Sequence, residues 1–189
     1  MNFPQHIKGA ILAGAAVGVL AVASGQVEME TDSLAQFVQN PLAEGPVRKL
    51  VGLFFLAWFM ALFPDLDTGS TPRKYYFHGI VFILTALYIV SELQLLAFIA
   101  IISLTPMLHK HRGWTHWLIT PWVLSALLAL AIEYLRARDS WFFGFDWGNA
   151  LEWWLTNWIY TVAFVFGHYA HLLLDSRLAK VVRGGSAKK

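Results

Sequence analysis

The chain has 189 residues, of which 57% are hydrophobic and only 14% are charged. Average soluble domains have roughly 45–50% apolar and about 25% charged residues, so these few charges cannot cover a water-soluble surface. The formal net charge of +2 is too small to indicate nucleic-acid binding, and without cysteines the chain forms no disulfide and no thiolate metal site. The composition therefore predicts an integral membrane protein, and the apolar runs described next predict that its fold is all-α.

Six apolar runs follow one another along the chain. They cover residues 7–24, 50–63, 75–90, 93–108, 114–135 and 153–174. Only the last two reach the roughly 20 residues that cross a bilayer comfortably, so the others need flanking polar residues to span it. We interpret the runs as six transmembrane helices, although Ser91 and Glu92 form either a tight hairpin turn or a polar break. We expect a single helical domain over residues 1–180 and a basic, flexible tail over residues 181–189.

The basic residues predict the orientation. With six spans, both termini lie on one side of the membrane, and most Lys and Arg residues fall in the loops of that side. The other side receives only Arg48, Lys49, Arg136 and Arg138. Because short cytoplasmic loops carry an excess of basic residues, both termini are expected in the cytoplasm.

On this topology, four segments that are distant in sequence bring histidines and carboxylates to the cytoplasmic ends of the helices. The residues are His6; Asp65 and Asp67; His109, His111 and His116; and His168, His171 and Asp175. Each group also has a simpler interpretation, as turn caps, solvated loop histidines or a structural hydrogen bond. However, the last three residues share one helix face at the end of an apolar run, where ionisable groups are costly without partners.

The types of residue indicate a divalent metal site. Neutral imidazole and carboxylate suit zinc, manganese or iron, and a two-metal hydrolytic site needs roughly six to eight such ligands. The candidates are His6, Asp65, Asp67, His111, His116, His171 and Asp175. Arg112 is suited to hold a phosphate, and Thr115 is suited to cap the following helix.

These residues also carry a resemblance to a known family. The ordered motifs are His6, Pro64-Asp65-Leu66-Asp67, His111-Arg112-Gly113-Trp114-Thr115-His116 and Gly167-His168-Tyr169-Ala170-His171-Leu172-Leu173-Leu174-Asp175. They resemble the bacterial membrane-bound metal-dependent hydrolases, inner-membrane proteins that include a LexA-regulated member. The resemblance implies an all-helical, multi-pass hydrolase of the bacterial inner membrane whose motif His and Asp residues bind divalent metal, most simply zinc.

The sequence departs from the pattern of this family at two positions. Thr68 stands where the second Asp is usually followed by His, and Trp117 replaces a small polar residue after Thr-His. His168, often another residue in relatives, either replaces the missing ligand or serves in packing or in a hydrogen bond to a ligand.

The leading hypothesis is a hydrolase of a phosphoester or lipid-linked phosphate at the cytoplasmic membrane face, with Asp65 as general base and Arg112 stabilising charge. The alternative is a non-catalytic accessory subunit of a larger membrane complex, with a structural or vestigial metal site. A transporter is the third hypothesis, but its ionisable residues should line both faces, and here they cluster on one. The expected partners are therefore the bilayer, such a substrate and other membrane subunits, with no nucleic acid.

Overall fold

The computed structural model describes residues 3–40, 44–67, 71–89, 91, 93–104, 113–138 and 144–175. Within these ranges the chain forms α-helices and short 3₁₀ turns and no strand. The helices are α1 (Phe3–Ala23), α2 (Ser33–Gln39), α3 (Pro46–Leu62), α4 (Thr71–Ile89), α5 (Leu93–Leu104), α6 (Thr120–Ala137), α7 (Trp147–Thr156) and α8 (Trp158–Asp175). The 3₁₀ segments Phe63–Asp67 and Trp114–His116 are called here the Asp65 turn and the His116 turn.

Several helices can cross a membrane. In the described part of the chain, His6–Ala23, Pro46–Leu66 and Thr120–Ala137 are long and apolar enough, and Tyr76–Ile89 is a shorter apolar helix. The prediction of an all-α membrane protein is confirmed. The six passes, the cytoplasmic termini and the single domain over residues 1–180 stay predictions, and the tail 181–189 lies outside the described residues.

Two helices begin at places that the apolar runs do not indicate. The run 114–135 starts with the His116 turn, and α6 begins only at Thr120. Thr115 therefore lies in a 3₁₀ turn, and the expectation that it caps the following helix is wrong. Pro121 explains the later start, because its fixed φ and missing N–H suit the first turn of a helix.

The run 153–174 is likewise not one helix. Asn157 separates α7 from α8, with a φ of −99° and a ψ of 38°, and its N–H donates to the Trp153 carbonyl at 2.9 Å. Helix α7 is amphipathic, and its exposed side chains Trp147, Leu151 and Leu155 recur every fourth residue, on one face. An apolar exposed face of this kind is typical of helices that lie at the boundary between headgroups and acyl chains.

The chain divides into two compact units. The first comprises Met1–Ala61 and Pro121–Lys189, and the second comprises Leu62–Thr120. In the first unit α1 and α8 pack against each other along their length. Its core contains Val17 and Ala21 of α1, Leu53 and Ala57 of α3, and Ile159 and Ala163 of α8.

Trp154 Nε1 donates to Ser125 Oγ, and Trp122 Nε1 donates to the Tyr169 hydroxyl, both at 3.2 Å. These bonds join α6 to α7 and α8.

The second unit contains α4 and α5, which pack against each other as a hairpin. Ser91 lies between them with a φ of 61°, and its N–H donates to the Tyr88 carbonyl at 3.1 Å. The hydroxyl of Tyr76 donates to the Ser103 carbonyl at 3.2 Å and so joins the two helices. Ser91 thus lies in a turn between two packed helices, and Glu92, the other residue of this prediction, lies outside the described residues.

Candidate metal centre

Helices α1 and α8 are antiparallel, which brings the beginning of α1 beside the end of α8. His6, in the first turns of α1, faces Asp175, the last residue of α8. At the other end, Gln26 follows α1 and its side-chain amide donates to the carbonyl of Thr156, just before α8. The pairing of these helices therefore places His6 beside the His171–Asp175 turn.

Three predicted ligands converge at this end. The distance from His6 Nε2 to Asp175 Oδ1 is 3.4 Å, and that from His171 Nε2 to Asp175 Oδ2 is 3.7 Å. The two imidazole rings lie 4.6 Å apart between centroids. One ligand atom from each residue lies within 4.8 Å of the other two. Both imidazoles are buried and the carboxylate is partly buried, so a small polar cluster is enclosed.

A backbone carbonyl sets the tautomer of His171. Its Nδ1 lies 2.8 Å from the carbonyl oxygen of Ala61, in the last turn of α3. Because a carbonyl can only accept, Nδ1 carries the proton, and Nε2 presents its lone pair towards Asp175. A ligating histidine in known metal sites is commonly fixed by such a bond to its other ring nitrogen. For His6, the described residues provide no hydrogen-bond partner for Nδ1.

The spacing of these atoms fits ligands that share one ion. Two ligands at about 2.0–2.1 Å from a tetrahedral zinc ion lie about 3.3 Å apart. The separations of 3.4 and 3.7 Å are close to that value and longer than good hydrogen bonds between the same groups. The donor set, two imidazole nitrogens and one carboxylate, suits zinc, manganese or iron. The three residues present can therefore bind a divalent cation with small side-chain movements.

His168 lies one turn before His171 on α8 and is fully buried. It is not part of the three-residue group, and its ring centroid lies 6.1 Å from that of Tyr169. In this geometry His168 fits a role in packing better than a role as a direct metal ligand.

The second unit carries the other predicted carboxylates and one predicted histidine. The Asp65 turn packs against the His116 turn, with the rings of Phe63 and Trp114 in edge contact at 5.7 Å. Asp65 is 5% exposed, and Asp67 closes the same turn. The pairing of these turns thus brings two motifs together that are distant in sequence.

The His116 turn is fixed internally. Its Thr115 is fully buried, with Oγ1 at 3.2 Å from His116 Nδ1. The hydroxyl of Thr120 donates to the Trp114 carbonyl. Trp117, the unusual residue after this motif, is 61% exposed. Thr68, His109, His111 and Arg112 lie outside the described residues, so their predicted roles stay predictions.

Two contributors to the site have no metal-ligand signature in the sequence. The first is the Ala61 carbonyl, a backbone group that any residue could supply. The second is Gly167, where an added Cβ would lie 2.1 Å from the carbonyl oxygen of Ala57. Gly167 lets α8 approach α3 closely enough for His171 to reach Ala61. Its only signal is its place in the quoted motif, one turn before His171.

The fold and this cluster define an all-helical membrane protein with a buried His/Asp group at one end of a helix pair. Residues 3–182 match the YdjM inner membrane protein family, and the chain belongs to this family. It is therefore a protein of the bacterial inner membrane, as the motifs predicted. Comparisons with curated proteins and with solved structures found no match.

Proposed function

We propose that the protein is a membrane-bound, metal-dependent hydrolase that acts on a phosphoester or lipid-linked phosphate at the cytoplasmic membrane face. The observation that supports it most is the convergence of His6, His171 and Asp175 from opposite ends of the chain. Enclosed ionisable groups in a membrane protein are costly and are generally retained for function. The orientation of His171 by Ala61 is a further feature typical of metal sites.

In this proposal the three residues hold a divalent cation through two imidazole nitrogens and one carboxylate. The ion would supply Lewis acidity, polarising a phosphoryl oxygen and favouring ionisation of water. Further ligands would come from Asp65, Asp67, His111 and His116, while His168 would serve in packing beside His171. Asp65 would accept a proton from the attacking water, and Arg112 would hold the phosphate through its two parallel donors.

The test is metal analysis of the purified full-length protein. We expect zinc, manganese or iron at a fixed molar ratio in the wild type. His171→Ala should lose at least about tenfold in metal affinity, because even loss of a group supporting a ligand costs 10–100-fold. His78→Ala is the matched control, since His78 is an exposed histidine on α4 whose Nδ1 bonds to the Lys74 carbonyl at 2.6 Å. A wild type without metal, or equal metal content in both variants, would refute the metal site.

Turnover is tested separately with phosphoester and lipid-phosphate substrates in the metal-loaded protein. We expect hydrolysis that His171→Ala abolishes and His78→Ala leaves unchanged. Metal at a fixed ratio with no hydrolysis, together with co-purification of a membrane partner at fixed stoichiometry, would instead favour the accessory subunit.

A further inference from the structure

The first unit contains a cavity at the end opposite to His6 and Asp175. Its volume is about 770 Å³, and it lies where α1 ends, α3 begins and α7 meets α8. Along the antiparallel helices it is about 25 Å from the His/Asp cluster, at 1.5 Å per residue. Binding sites for small molecules commonly have volumes of about 300–1,000 Å³, so the cavity is large enough for a ligand.

The charges that line this cavity are balanced. Arg48 and Lys49 supply two cations, and Glu28 and Glu44 supply two carboxylates. A purely anionic ligand would meet repulsion from the carboxylates, and a purely cationic ligand would meet repulsion from the basic pair. A group that carries one charge of each sign is matched best.

One wall of the cavity is held in place by contacts among its own residues. Lys49 Nζ donates to the Gln26 carbonyl at 2.9 Å and lies 6.0 Å from the centroid of the Tyr160 ring. The Tyr160 ring in turn lies 5.5 Å from that of Trp153. Because the Lys49 ammonium lies over one side of the Tyr160 ring, this side is not open to a quaternary ammonium ligand. A ligand ammonium with N–H donors would bind the carboxylates instead.

We propose that this cavity binds a zwitterionic phospholipid headgroup of the phosphoethanolamine type. Its phosphate would contact Arg48 and Lys49, and its primary ammonium would contact Glu28 and Glu44. The location supports a lipid, because the ends of membrane helices lie at the level of the headgroups, where Trp and Tyr are also enriched. The site is distinct from the proposed metal centre, and the inference does not depend on hydrolysis.

The experiment measures lipid binding by native mass spectrometry on the purified, delipidated full-length protein. Phosphatidylethanolamine, phosphatidylglycerol and phosphatidylcholine with identical acyl chains are compared. We expect phosphatidylethanolamine to bind most tightly. Glu44→Gln should weaken its binding about fivefold, as for one partly exposed charge pair, and leave phosphatidylglycerol unaffected or improved. Arg48→Gln should weaken the binding of both phosphatidylethanolamine and phosphatidylglycerol.

The matched control is Glu152→Gln, an exposed carboxylate on α7 that does not line the cavity. It should bind all three lipids as the wild type does. Soluble phosphoethanolamine should compete with the lipid, and inorganic phosphate should not. This result would show that the whole headgroup is recognised. Equal affinities for the three lipids, or equal affinities of Glu44→Gln and Glu152→Gln for phosphatidylethanolamine, would overturn the inference.

Discussion

His171 uses its two ring nitrogens for different purposes. Nδ1 donates to Ala61, and Nε2 faces the carboxylate of Asp175. The spacing of four residues between His171 and Asp175 predicts that they share a helix face. The Ala61 carbonyl could not be predicted in the same way, because a backbone acceptor leaves no trace in the residue type.

Two substitutions on α8 should separate ligation from packing. His168→Ala should lower the free energy of unfolding by about 2–4 kcal/mol, since it removes a fully buried ring, yet keep the metal ratio. Asp175→Asn should do the opposite, losing metal while the metal-free protein remains as stable as the wild type. Metal analysis and thermal unfolding without metal check both outcomes. Loss of metal in His168→Ala at unchanged stability would show that His168 is itself a ligand.

Glu133 is a buried carboxylate outside the candidate metal centre, and its oxygens are used structurally. Oε2 accepts from Arg136 Nε at 2.7 Å, and Oε1 accepts from Arg136 Nη2 at 2.5 Å. The backbone N–H of Asp146 also donates to Oε1, at 3.0 Å. Glu133 therefore holds the segment before α7 against the end of α6.

Glu133→Gln should lower the midpoint of thermal unfolding by a few degrees. The amide replaces one acceptor with a donor that faces the Arg136 guanidinium. Glu152→Gln, on the exposed side of α7, should leave the midpoint unchanged. Equal midpoints for the two variants would show that this network contributes no stability.

At the scale of elements, Gly167 decides how closely α8 packs on α3. An added Cβ would meet the Ala57 carbonyl at 2.1 Å and Met60 Cβ at 2.8 Å, and neither can move without shifting a helix. Gly18 on α1 is the opposite case, because nothing lies within 4 Å of its added Cβ. In the sequence both residues are simply glycines within apolar helices, and only packing distinguishes them.

Gly167→Ala should lower the free energy of unfolding by about 1–3 kcal/mol through overpacking. It should also weaken metal binding, since His171 would be displaced from the Ala61 carbonyl. Gly18→Ala should be neutral or slightly stabilising, because alanine is the better helix former. Thermal unfolding and metal titration of both variants check this, and a Gly167→Ala protein with wild-type values would contradict the close approach.

The boundaries of the helices were only partly predictable. Apolar runs located α1, α3, α4 and α5 well, because a run of that length in lipid must be helical. The break at Asn157 and the start of α6 at Thr120 were missed. In both places the flanking residues are apolar, and one or two polar residues between them do not interrupt an apolar run, so hydrophobicity alone gives no clear signal. The short helix α2 lies between the first two apolar runs, which give no indication of it.

At the scale of the molecule, the proposed metal joins residues from both ends of the chain. A ligand that binds only the folded state stabilises it by an amount that grows with the logarithm of the ligand concentration divided by Kd. Between this cluster and the opposite cavity, the first unit is filled by apolar residues of α1, α3 and α8.

Removal of the metal by a chelator should therefore lower the midpoint of thermal unfolding of the wild type, and added zinc should restore it. His6→Ala should show a much smaller response, because it removes the only ligand that α1 provides. In His78→Ala the chelator should lower the midpoint of thermal unfolding as much as in the wild type. A chelator response that is the same in His6→Ala and in the wild type would show that α1 does not take part in binding.

The sequence by itself determined that the protein is helical and lies in a membrane, because few charges leave its surface apolar and a helix satisfies the backbone of each long apolar run within that run. It also placed His171 and Asp175 on one helix face, since helical periodicity is local. Only the tertiary structure decided that His6 joins them and that Ala61 orients His171. Those contacts depend on the close approach of α1 and α3 to α8, which small residues such as Gly167 permit and composition does not reveal.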